Sequence, residues 1–162
     1  MSRYFNREMA QQALQMMIPS ITAALVGPSA NRSEGYIRVS ALQEDGNWET
    51  FLTHDFGNRT GWQYDYEKYA TSKAMITQRT GKPSREVHGV YPELVEDGDT
   101  SYFGSVTSPG GTIVVAFSGV QSYFDVMFAE WVLAACLGLI QHELERCKTV
   151  GEEDFYGEVT SD

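Results

Sequence analysis

The chain is short of base. Twelve Lys and Arg stand against 22 Asp and Glu, a formal net charge of -10 with a pI near 4.7. An acidic surface repels phosphate backbones and anionic lipid, which argues against nucleic-acid and membrane-surface partners. Cysteine is scarce. Cys136 and Cys147 lie eleven residues apart in one helix candidate, roughly 16 Å of rise, so an intact helix forbids a bridge between them. The three histidines, His54, His88 and His142, are scattered and form no H-x-x-x-H pair. There is also no C-x-x-C, so no metal site is expected. The longest apolar run, Val132 to Ile140, falls short of the about 20 residues that cross a bilayer. Leu14 to Leu25 is interrupted by Gln15, Pro19, Ser20 and Thr22 and makes no signal peptide. These absences predict a cytoplasmic protein. No P-loop, dinucleotide fingerprint or nucleophile elbow occurs, so no catalytic residue is assigned and the reading leans away from an enzyme.

What is present is an ordinary globular composition, 42% apolar and 12% aromatic over 162 residues. That length suits one domain, which can bury roughly 70% of its unfolded surface without a staple. The domain is expected over residues 1–150, with an acidic tail over 151–162. The organising stretch is Gly110 to Lys148. The β-branched run Ile113-Val114-Val115 suits a buried strand over 112–118, and Gly119 suits a sharp turn after it. Ser122 can cap the helix that follows, with Asp125 at its positive end. Phe124, Met127, Phe128, Trp131, Val132, Ala135 and Leu139 then recur at helical spacing.

Upstream, Asn6 can cap a first helix running to Leu25, with Pro19 expected to kink or split it. Tyr36 to Leu42 alternates as a half-buried strand, and Glu44-Asp45-Gly46-Asn47 turns it back into a strand over 48–54. A helix is predicted over 65–80, closed by Gly81. A short helical turn is expected over 85–88, and a strand over 102–107 that pairs with 112–118. This order predicts an α+β fold, an antiparallel sheet flanked by helices with a long C-terminal helix.

The order and several residues resemble the GlcG/HbpS-like family, a profilin-like fold also described as a haem-degrading domain. The likeness runs from about Asn6 to Ala135. It rests on the first helix, the hairpin with Gly46 in its turn, and Ala70-x-x-Lys73-Ala74. It rests also on the Pro83 helix end, on Gly104, Gly110 and Gly111, and on Ser118-Gly119 followed by Asp125 and Ala129. Phe117 stands where the family prefers a smaller aliphatic residue, and the glycines within that strand are missing. The resemblance implies a homo-oligomer that binds haem or another small molecule. The histidine that the family uses for haem, in its N-terminal helix region, has no counterpart here, because no His precedes His54.

Five residues are candidate ligand contacts. Lys73 shares a helix face with Ala70 and Thr77. Buried there, its ammonium needs a partner or a lowered pKa and can bind a carboxylate. The plainer alternative is a lysine that snorkels to water or one that bonds strand-end carbonyls. Ser118, Gly119 and Ser122 place backbone N–H groups at a helix start, where an anion can bind, although Asp125 competes for that end. His88, near Glu86 and Tyr91, is the best haem or base candidate. The leading expectation is a non-catalytic small-ligand-binding or sensory module, with haem or a small organic acid as ligand. The alternatives are an enzyme or accessory of small-acid metabolism and a structural domain that self-associates through residues 123–147.

Overall fold

A computed structural model of the chain describes residues 4–151; of the acidic tail expected over 151–162, all but Gly151 lies outside them. Strands β1 (Gly35–Leu42), β2 (Trp48–Phe56), β3 (Ser105–Thr107) and β4 (Ile113–Ser118) form one sheet in the order β2-β1-β4-β3. Every neighbouring pair is antiparallel. The helices are α1 (Arg7–Val26), α2 (Tyr66–Thr80), α3 (Ser84–Val90) and α4 (Ser122–Gly151).

The sheet is covered on both faces, and the two-residue period of its central strands decides which side chain meets which layer. Ile37, Val39 and Ala41 of β1 and Ile113, Val115 and Phe117 of β4 join Leu14 and Ile21 of α1 and Phe128 and Val132 of α4 in the larger core. Tyr36, Val114 and Ala116 face the other way and meet Tyr66, Ala70 and Ala74 of α2. The expected half-buried β1 is therefore buried on both sides, with Ser40 fully enclosed. Alternation in the sequence reflects two different cores, not one core and solvent.

Local signals set most boundaries. The Asn6 side chain accepts from the Met9 amide, the Asp65 side chain accepts from the Lys68 amide, and Gly81 closes α2 in the left-handed region at φ 70°. Gly46 turns the β1–β2 hairpin at φ 83°. Three expectations need correction. Pro19 does not split α1, which is continuous over 20 residues. It sits on the exposed face, where the carbonyl left without a partner can bond to water. The strand expected over 102–107 is ordered as a strand only from Ser105. Ser122 is the first residue of α4 and not its cap, since the Phe124 and Asp125 amides already donate to the Gln121 carbonyl at 2.9 and 3.0 Å.

Ser122–Lys148 is long and apolar enough to cross a membrane by length and composition alone. The uninterrupted apolar run is much shorter than the helix, and the inner face is core: Phe128, Ala129, Val132 and Cys136 are fully buried against the sheet and α1.

Candidate functional site

Three elements converge where β4 ends. On α2, residues 70, 73, 74 and 77 recur at helical spacing and are all buried. Ala70 and Ala74 are small, so the helix lies close to the sheet and carries Lys73 inward. The Lys73 Nζ donates to the Phe117 carbonyl at the strand end, at 3.0 Å, and to Asp125 Oδ2 in the first turn of α4, at 2.8 Å. The two side chains are 1% and 2% exposed. Asp125 Oδ1 in turn accepts from the Val120 amide at 3.1 Å. One ion pair thus ties α2, the end of β4, the turn at 119–121 and the start of α4.

Packing leaves no slack around the pair. A methyl group on Gly104 would lie 2.6 Å from the Phe117 carbonyl oxygen, 2.8 Å from Asp125 Cβ and 3.0 Å from Lys73 Nζ. Real side chains do not tolerate such approaches, so a glycine is needed there. Gly119 is similarly pressed, with a built Cβ 2.5 Å from the Glu34 carbonyl oxygen. The backbone beside Lys73 is also held. Ser84 Oγ accepts from the Gly104 and Ser105 amides, while Ser105 Oγ donates to the Lys73 carbonyl at 2.7 Å.

Burial sets the proton affinities. Loss of water pushes Asp125 up from 3.8 to about 6, against the pull of the Lys73 ammonium and the Val120 and Gly119 amides. The same loss lowers Lys73, against the attraction of Asp125. The folded state therefore holds the Asp125 proton more tightly than the unfolded chain does. The stability this group contributes is fully present below 3.8 and is lost as pH rises through about 6, the opposite sign from ordinary acid denaturation. Urea melts of the wild type and Asp125→Asn should show a stability difference that changes across that window and is flat above it. A difference constant with pH would refute the assignment.

The pair forms the floor of a cleft of about 840 Å3 between α2, the 30–34 loop and the turn before α4. Lys73, Ser118 and Gly119, three of the five candidate contacts, line it; Ser122 and His88 do not. His88 lies on α3, half-buried, with Nε2 enclosed and without a hydrogen-bond partner among the described residues. Lys73 and His88 therefore do not both line this cleft. Sequence reasoning missed the walls. Tyr64, Tyr66, Tyr69, Tyr102, Glu34 and Gln121 line the cleft. Tyr66 Oη donates to Glu34 Oε2 at 2.8 Å, and the Gln63 amide donates to the same oxygen at 3.3 Å. Burial and the neighbouring Glu34 carboxylate raise the Tyr66 phenol, so it stays a neutral donor. Tyr64-x-Tyr66-x-x-Tyr69 was a visible signal. Tyr102 and Glu34 are remote in sequence and join it only by folding.

The fold and cleft define an α+β protein with a four-stranded antiparallel sheet and a pocket at the strand-to-helix junction. No family model, curated protein or solved structure matches the chain.

Proposed function

We propose that the chain is a non-catalytic small-ligand-binding or sensory module of the GlcG/HbpS-like kind, with its ligand in the cleft above Lys73 and Asp125. The observation that carries this reading is the cleft itself. Its volume of about 840 Å3 is that of small-molecule sites, and such sites combine aromatic walls with a few convergent polar groups. The order of strands and helices supports the kinship. Lys73 supports a role in shaping the floor: its charge is matched by Asp125 and it has a second acceptor in Phe117. A small organic acid would therefore find no unmatched cation in Lys73.

The described lining residues include no His, Cys or Met, so the tyrosines are the side chains there that could ligate a haem iron. A thermal-shift screen of small organic cations, neutral compounds, organic acids and haemin should give a saturable rise in melting temperature with at least one class. The rise should be lost in Tyr66→Ala. A screen with no stabilising compound would sink the reading.

One feature supports a homo-oligomer. On α4, Met127, Trp131, Leu137, Leu139 and Ile140 are only partly buried, leaving apolar surface that a second copy can cover. Sedimentation velocity on dilution should show dissociation, and Trp131→Ala should shift it to higher concentration. A monomer at all concentrations would remove the oligomer.

A further inference from the structure

We infer that the cleft selects an organic cation, an ammonium carried on a flat apolar body; this rests on the cleft being a ligand site. The charges of the lining decide the sign. Lys73 and Asp125 cancel at the floor, 2.8 Å apart. Glu34 then remains as a half-buried carboxylate whose hydrogen bonds come from neutral donors, the Tyr66 hydroxyl and the Gln63 amide. A carboxylate withdrawn from water in this way gains most from an opposite charge. Arg32 is the fourth charged residue of the lining and brings its formal charge to zero, so burial and not the sum favours Glu34: Arg32 is exposed to water and its guanidinium donates to the Ala30 and Asn31 carbonyls at 3.5 and 3.2 Å. It makes no hydrogen bond with Glu34 among the described residues.

The walls point the same way. Tyr64, Tyr66, Tyr69 and Tyr102 all line the cleft, with Tyr69 and Tyr102 meeting edge to face at 5.7 Å and Tyr64 and Tyr66 at 6.2 Å. Tyrosine faces attract ammonium groups through the ring quadrupole, and aromatic enclosures of this kind recognise organic cations. A net charge of -10 adds a long-range attraction for cations.

The test uses three compounds that share one body: tryptamine, a cation; tryptophol, neutral; and indole-3-propionate, an anion. By isothermal titration calorimetry of the full chain, tryptamine should bind, tryptophol at least about tenfold more weakly, and indole-3-propionate not at all. Tenfold is what one modest charge contact contributes. Glu34→Gln should reduce tryptamine affinity at least about tenfold and bring it level with tryptophol. Tyr102→Leu, at a position 57% exposed where folding is not at stake, should also weaken tryptamine binding. Binding of indole-3-propionate in preference to tryptamine, or tryptamine binding indifferent to Glu34→Gln, would overturn the cation inference and leave the cleft standing as a site. Failure of all three compounds overturns it as well. The broader thermal-shift screen then decides separately whether the cleft binds anything.

Discussion

Lys73→Ala should destabilise the protein by about 3–5 kcal/mol at neutral pH, the range found when one member of a buried ion pair is removed. The reason is what stays behind. Asp125 is 2% exposed, and its pKa of about 6 is already held down by the Lys73 ammonium; without that cation the pKa rises further, so at neutral pH the enclosed carboxyl must either stay charged and unpaired or take up a proton. The loss should shrink as pH falls and Asp125 takes up that proton. Lys73→Met combined with Asp125→Leu should recover most of the loss, because two apolar groups replace a pair whose desolvation offset much of its attraction. Full recovery is not expected, since the Val120 amide loses its acceptor at a cost of about 1–3 kcal/mol. Urea denaturation of the three proteins measures all of this. A Lys73→Ala cost below about 1 kcal/mol would mean that water reaches the pair.

Phe117→Ala should cost about 3–5 kcal/mol, the usual range for truncating an enclosed phenylalanine. Its ring is fully buried, 5.6 Å from Phe56 and 5.0 Å from Phe128 between ring centres. It also explains a neighbour. A Cβ on Gly35 would lie 2.8 Å from Phe117 Cζ, so the bulky residue at 117 is matched by the absence of a side chain at 35. Gly35→Ala should therefore cost less in a Phe117→Leu background than in the wild type, and the double-mutant cycle should show coupling. Additive costs would show that the two positions do not share space. The residue that departs from the GlcG/HbpS-like pattern is thus integral to this core. It points toward α1 and α4, while the cleft lies on the α2 side, so its size at 117 does not fill the cleft.

The residue order placed Lys73 on one helix face with Ala70 and Thr77, so that burial of that face would demand a partner for its ammonium, and the face is buried. It did not name the partner. Asp125 stood out as a helix-start carboxylate, and nothing local connects it with a lysine 52 positions away. The same holds for the tyrosine walls. Three of the four rings are close in sequence, but their meaning depends on Glu34 and Tyr102 arriving from separate loops. His88 shows the converse: proximity to Glu86 and Tyr91 in the chain suggested a site, and α3 places it outside the lining of this cleft.

The sequence by itself determined the elements, since caps, left-handed glycines and hydrophobic period act over a few residues and need no distant neighbour. Only the tertiary structure decided that both faces of the sheet are covered, that Lys73 and Asp125 neutralise each other, and that a carboxylate and four phenols share one cleft. Each of these depends on contacts between residues far apart in the chain, whose geometry is set by how helices pack on the sheet and not by any local preference.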